Sequence, residues 1–402
     1  MLTFEQALDQ LLAAARPVVE TRSLPLSVAA GRVLAAAQYA AVNSPPLDNS
    51  AMDGYAVRVA DITAAGVSLP VSQRIPAGCL GQPLLPGTAA RIFTGAPAPS
   101  GADAVVMQEH CAASGEQVVI NCLPQVGDNI RRAGESMAIG EAILKAGIRL
   151  RPQDVALAAA AGLPELPVYR RLRVGVFFTG DELAEPGQPL PPGGIYNSNR
   201  FALRALLDGL GCEVRDLGEV PDNLAATREA LRKAAADNDL IVTSGGVSVG
   251  EEDHVRPAVE MEGRLDLWKI AIKPGKPLAF GEVRRADGSK TWFIGLPGNP
   301  VSAVVTFLIL VRPFVLRLQG VADALPRRFS LRAEFDWPKP DARAEFLRGR
   351  TTAEGGVELF HNQGAGVLTS LCWADGLVPL RPGQAVKRGE MLPFLPFSEL
   401  LA

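Results

Sequence analysis

The chain is poor in the residues that usually announce a metal or redox centre. Its five cysteines, Cys79, Cys111, Cys122, Cys212 and Cys372, are odd in number and form no C-x-x-C pair. That argues against both a disulfide framework and a zinc knuckle, and reduced, mostly buried thiols are expected. The three histidines, His110, His254 and His361, are too scattered for a His-rich metal site or an obvious Ser-His-Asp relay. An excess of one charge is also missing. Forty Lys plus Arg against 43 Asp plus Glu leave a net charge of −3, too balanced for the basic field that drives nucleic-acid or anionic-membrane binding. Any anionic ligand must be held locally. The longest apolar run, Val301 to Val311, contains Ser302 and Thr306 and stops at Arg312-Pro313, short of the roughly 20 residues a membrane span needs. The opening MLTFEQALDQLLAAA has no basic segment and carries acids, so an amphipathic helix and a cytoplasmic location are expected, not a signal peptide.

What is present suits a large folded protein. At 402 residues the chain exceeds one core, and three or four domains are expected. Helical apolar spacing marks residues 3–16, 26–38 and 152–161, so one linking domain is expected from two separated segments, 1–40 and 135–168. Between them, residues 41–134 carry many Pro and Gly turns and short β-prone runs, the pattern of a β-rich insertion. From Leu172 strands and helices alternate: strand 172–178, helix 198–210, strand 213–217, helix 223–236, strand 239–243, then a further helix. That alternation predicts a doubly wound α/β domain over 169–320, closed by a helix at 301–318. Residues 321–402 begin with a linker and continue in short alternating runs, which suggest a small β-barrel.

The candidate chemistry clusters at strand ends. The strand ending at Thr243 runs into Ser244-Gly245-Gly246-Val247-Ser248, then the acids up to Asp253. In open α/β sheets ligands bind beyond the carboxyl ends of strands, where glycines let backbone N–H groups approach an anion. A glycine turn with Asp253 as helix cap is the bland alternative. Glu182 in TGDEL and Asp222 before the next helix present carboxylates to the same rim, so Glu182, Asp222 and Asp253 together could hold a hard cation such as Mg²⁺. For Asp222 alone a helix cap is as good a reading. Lys269, Lys273 and Lys276 fall within eight residues of a strand-like segment, with Lys269 and Lys273 on one face by period-two spacing, suited to a polyphosphate. No Walker A pattern is present. Pro297, Gly298, Asn299 and Ser302 join a strand to the apolar helix, whose first N–H groups are expected to be open to a polar ring or a phosphate. In the insertion, Asp48 and Asp53, the Thr94-Gly95 turn and Arg131-Arg132 supply acid, hydroxyl and base, each alone ordinary turn chemistry.

Eight strings in order, DNSAMDGYAVR, TGAPAPSGADAVVMQE, NIRRAGES, TGDEL, IYNSNR, TSGGVSVGEEDH, IKPGKP and GLPGNPVS, resemble those of the MoeA family of molybdopterin molybdenumtransferases, similar to the E domain of gephyrin. The resemblance runs from about residue 47 to 302. It implies a MogA/MoaB-like α/β domain, and Mg²⁺-dependent insertion of molybdenum from molybdate into adenylylated molybdopterin with release of AMP. It further implies a homodimer whose site lies between two subunits, supplied with substrate by a molybdopterin adenylyltransferase. Carried over by position are Asp53, Thr94, Glu182, Asp222, Asp253, Lys269, Lys273 and Ser302, with Arg131, Arg348 and Ser370 as further contacts to molybdate or phosphate. His254 and Ser136 depart from the family pattern, which often has tyrosine and an acid there. Two other readings use parts of the same sequence: a nucleotide pyrophosphatase on the α/β module, and a gephyrin-like scaffold.

Overall fold

The structure, a computed structural model, describes residues 1–17, 20–246, 254–275 and 277–401. Its centre is a six-stranded sheet in the spatial order Glu213–Glu219, Arg173–Phe178, Leu240–Ser244, Lys290–Leu296, Pro277–Arg284, Gly263–Lys269. The first four strands are mutually parallel, and Pro277–Arg284 runs antiparallel to both of its neighbours. Parallel strands buried on both faces read as continuous apolar runs, and here successive side chains serve opposite layers. Phe177, Ile241 and Phe293 pack against Leu231 and Ala234 of helix Leu224–Asp237 and Val255 and Val259 of helix Val255–Glu262. Val176, Phe178, Val242 and Ile294 face the other way, into Leu203 and Leu207 of helix Ser198–Gly209, the apolar helix 300–318 and Leu8 and Leu11 of helix Phe4–Ala14.

Helix 300–318 is long and apolar enough to span a membrane by composition, yet 89% of its most apolar window is buried within the fold. Pro300 opens it, where a missing N–H is harmless. Pro313 lies inside it, and residues Phe307–Val311 just before form a wide π turn. A proline removes a helix donor and crowds the carbonyl four residues back, and the widened turn makes room for it.

The last third closes into a barrel. Strands Phe329–Ala333, Gly356–Leu359, Ala344–Thr351, Gly376–Leu380 and Met391–Pro396 pair in a ring that returns to its start, around Leu347, Val357, Val378, Leu392 and Phe394. Ile272–Lys273 leaves the α/β domain and adds a short parallel strand to Ala344–Glu345 of this barrel. The segment before the α/β domain holds a third six-stranded sheet, ordered Ala104–Met107, Gly54–Val57, Ala89–Ile92, Val67–Ile75, Gln117–Ile120, Cys111–Ser114.

The chain stretches flanking that sheet come together: Thr21–Pro25 pairs with Glu165–Tyr169 and Gln38–Tyr39 with Ala142–Leu144, over Leu34, Leu150 and Ala158. Residues 26–38, expected as helix, form only a single 3₁₀ turn at Leu26–Val28. Gly31 takes φ +77° and breaks the helix, and Val33 and Leu34 bridge to Arg149 and Val168. Alanine-rich spacing did not separate helix from paired chain, and burial against distant strands decided it. The cysteines are all free thiols, but only Cys212 is fully buried, and Cys79 and Cys372 are exposed.

Candidate functional site

A cleft of about 570 Å³ lies where the carboxyl edge of the central sheet meets the barrel. Its sheet side is formed by Gly245, Gly246, Pro297, Gly298, Asn299 and Ser302, its connecting strand by Lys273, Pro274, Gly275 and Pro277, and its barrel side by Arg343, Gln363, Gly364 and Ala365. The Gly-Gly, Lys-Pro-Gly and Pro-Gly-Asn motifs, remote in sequence, therefore line one cleft.

Glycine is required there by conformation and by space. Gly245 and Gly246 have φ of +86° and +61°, values that L side chains rarely adopt. Ser244 is buried, and its hydroxyl accepts a hydrogen bond from Asn199 Nδ2 at 3.1 Å; the same amide donates to Gly298 O at 2.7 Å. One side chain thus ties the two backbone loops of the wall together. Asn199 Oδ1 and the nearby Thr179 Oγ1 are buried without a protein partner, the condition in which a bound polar ligand or water offsets a desolvation penalty. The N–H of Val301, expected to be open, donates to Ala365 O at 3.1 Å and so ties the helix start to the barrel side.

The lysines are split between two sheets. Lys269 ends a strand of the central sheet, is exposed, and is absent from the cleft. Lys273 belongs to the strand paired with the barrel and lines the cleft. The expected single strand with both lysines on one face is therefore replaced by a crossing between domains, because the chain turns at Ile270–Ala271 after an isolated bridge between Leu2 and Ile270. Lys273 Nζ lies 3.2 Å from Glu345 Oε1 and 3.5 Å from Asp341 Oδ2. Arg343 Nε and Nη2 grip the two oxygens of Asp341, each at 2.9 Å. This fork, helped by Lys273, holds the Asp341 carboxyl well below the usual carboxylate range. The sequence offered no pattern for Asp341, Arg343 and Glu345; Asn199 lay within IYNSNR with no role attached.

Of the carboxylates, Glu182 is exposed and folds over Gly180, where an added Cβ would lie 2.7 Å from Glu182 Oε2. Asp222 is half-buried, and the cap of the following helix is its neighbour Asn223, whose Oδ1 accepts from Ala226 N at 2.9 Å. The cap reading of Asp222 therefore passes to Asn223. Asp253, Ser248 and Lys276 lie outside the described residues. Among the described residues no three His, Cys, Asp or Glu side chains are grouped to hold a metal.

The insertion residues form their own arrangement. Asp53 Oδ1 accepts from both the backbone N–H and the hydroxyl of Thr94, each at 2.8 Å, and these bonds lower its pKa. Arg132 pairs with Asp48 at 2.6 Å, and Arg131 is exposed on the strand paired with Asn49–Ser50. None of them lines the cleft within this chain. Arg348 and Ser370 are both fully buried and bonded to each other, Arg348 Nε to Ser370 Oγ at 3.1 Å, with Arg348 Nη2 also donating to Gly364 O at 3.3 Å. Burial pushes the Arg348 guanidinium down to about 10. In this structure the pair stands behind the Gly364 wall, while Gly364 and Ala365 line the cleft.

An open α/β sheet with a glycine turn at its carboxyl edge, a closed β-barrel against that edge and a β-rich insertion define a multidomain α/β protein. Three family models cover nearly all of the chain: the MoeA N-terminal region (domains I and II) over residues 2–162, a probable molybdopterin binding domain over 175–317, and the MoeA C-terminal region (domain IV) over 330–397. A molybdopterin molybdenumtransferase from Haemophilus influenzae is 41% identical over the full length of both chains. Molybdopterin molybdenumtransferase 2 from Mycobacterium tuberculosis is 37% identical over 94% of each. A crystal structure of the molybdopterin biosynthesis MoeA protein from Pyrococcus horikoshii superposes with a TM-score of 0.85 at 28% identity, covering 98% of this chain and 100% of that one. The chain belongs to the MoeA family.

Proposed function

We propose that this protein inserts molybdenum from molybdate into adenylylated molybdopterin, releasing AMP and molybdenum cofactor in the cytoplasm. The observation that carries the reading is the cleft itself, with Lys273 and Arg343 facing the backbone cradle Gly245–Gly246 and the loop Gly298–Asn299. Its volume falls within the roughly 300–1,000 Å³ of small-molecule sites, and its groups suit a phosphoanhydride or an oxyanion more than an apolar ligand. The names of the full-length relatives support the same chemistry.

In this reading Lys273, Arg343 and Ser302 bind the anionic substrates, and proximity makes ligand exchange at molybdate effectively unimolecular. Water attacks the adenylate phosphorus, the anhydride P–O bond breaks, and AMP leaves while the pterin side retains the bridging oxygen. Mg²⁺ would be held by Glu182, Asp222 and Asp253; an all-oxygen, carboxylate donor set fits such a hard ion. When bound, it supplies charge neutralisation at the phosphoryl oxygens. The substrate, an adenylate, must come from an adenylyl-transferring enzyme, here a molybdopterin adenylyltransferase. Because Asp53, Thr94 and Arg131 stand apart from the cleft of their own chain, they are assigned to the cleft of a second copy in a homodimer. A groove of about 500 Å³ lined by Leu206, Phe307, Leu308, Leu371, Phe397 and Leu401 supports a partner seated on that side. The test is AMP release from adenylylated molybdopterin with purified protein and Mg²⁺. Release that depends on molybdate is expected, and hydrolysis indifferent to molybdate would overturn the reading in favour of a pyrophosphatase.

A further inference from the structure

Glu345 is a buried carboxylate, 1% exposed, at the junction of barrel and α/β domain. Its Oε2 accepts from Trp337 Nε1 at 2.9 Å and from the backbone N–H of Asp341 at 3.0 Å, so the side chain is fixed. Its Oε1 has no well-aligned hydrogen bond, only the Lys273 ammonium at 3.2 Å. The strand register sets Lys273 directly beside Glu345, and Asp341 adds its carboxylate at 3.5 Å.

We propose that Glu345 is a positioning residue for Lys273, holding the ammonium so that an N–H points to the substrate phosphate. The proposal rests on the reading of the cleft as an adenylate site. An ammonium on a four-carbon stem has three donors and many rotamers. Two carboxylates on the barrel side, at 3.2 and 3.5 Å, draw the ammonium as an ion toward one position at the edge of the cleft that Lys273 lines. A pair between a buried carboxylate and an ammonium whose side chain is 39% exposed is a poor source of net stability, because desolvation of the acid and solvent screening of the amine offset most of the attraction. Fixing one geometry is the better account of a carboxylate kept there. The pairs Lys273 with Glu345 and Arg343 with Asp341 also sum to no net charge. Affinity for an anion then depends on directed N–H contacts more than on the field of the cleft.

Glu345→Gln separates these ideas, since the amide oxygen can still accept from Trp337 and Asp341 while the charge is lost. For positioning, the KM for adenylylated molybdopterin and the Kd for AMP, measured by calorimetry on the full-length protein, rise roughly 10-fold. The kcat stays within about three-fold of wild type. A field effect predicts the opposite sign, tighter AMP binding in the more positive cleft, and that result would overturn the proposal. So would a lowered Tm with KM unchanged, the outcome of a purely structural role. Trp337→Phe, which loosens Glu345 without altering charge, is expected to shift KM the same way by a smaller factor, and serves if the first variant does not fold. Wild-type protein without molybdate-dependent AMP release would defeat the reading of the site. Wild-type release together with unaltered KM in both variants would defeat only the role of Glu345.

Discussion

Replacing Gly246 by alanine puts the cradle under two separate loads. The added methyl would sit 2.6 Å from Val255 Cγ2 and 3.1 Å from Thr179 Oγ1, and the backbone there has φ +61°. Val255 is fully buried at the start of its helix and cannot move aside freely. A left-handed conformation costs an L residue about 1–2 kcal/mol, and overpacking a filled site adds about 1–3 kcal/mol. Together they come to about 2–5 kcal/mol, a large share of the roughly 5–15 kcal/mol that holds a domain folded. Gly288, at the hairpin between the strands Pro277–Arg284 and Lys290–Leu296, has φ +82° but nothing within 4 Å of an added Cβ. Gly288→Ala should therefore lose only the conformational part, about 1–2 kcal/mol. Scanning calorimetry of the α/β transition is the assay, with about 2–4 °C of Tm per kcal/mol for a domain of this size. Gly246→Ala should unfold at the lower temperature of the two, and calorimetric AMP binding should be lost in Gly246→Ala and kept in Gly288→Ala. Equal Tm shifts with AMP bound equally well by both variants would refute the steric argument and the placement of the cradle.

Asp341 gives a pH signature. Because its folded pKa is depressed, its contribution is complete above the unfolded value of about 3.9 and is lost as pH falls through the lower, folded value. Asp341→Asn should lower Tm at neutral pH and flatten the fall of Tm between about pH 5 and pH 2; a mutant curve parallel to wild type would contradict this. Asp53→Asn should fold with at most a small fall in Tm, since an amide oxygen there can still accept from the Thr94 N–H and hydroxyl, and lose molybdate-dependent AMP release. Wild-type release would remove Asp53 from the site.

The doubly wound core was legible because its strands are unbroken apolar runs and its helices carry a clean three-to-four spacing, as at Leu203 and Leu207 or Leu231 and Ala235. The glycine cradle was legible for the same reason: Ser244-Gly245-Gly246 ends a strand whose burial is obvious. The lysine pair was not. Alternation assigned Lys269 and Lys273 to one strand, whereas pairing of Ile272–Lys273 with the barrel, 71 residues on at Arg343 for the hydrogen bond to Ile272 O, pulls them apart. No local pattern encodes a contact of that range. The barrel's own contribution, Arg343 gripped by Asp341 with Glu345 paired to Lys273, stayed hidden because charged residues in short alternating runs look like an ordinary solvated face. Arg348 shows the converse, an arginine that the family pattern marks for an anion and that the fold buries against Ser370.

Mixing subunits offers the most direct test of the proposal that two copies of the chain complete one site. Asp53→Asn and Lys273→Ala are each expected to be inactive as the sole species, since one lacks the insertion's acid and the other the cleft's ammonium. Co-expressed with two different affinity tags and purified as the doubly tagged species, they should regain molybdate-dependent AMP release, because one of the two composite sites then carries both wild-type residues. Recovery of up to about half the wild-type rate per dimer is the predicted result, one intact site of two. A doubly tagged species that forms yet releases no AMP, or an absence of any doubly tagged species, would contradict a cleft completed by a second copy of the chain.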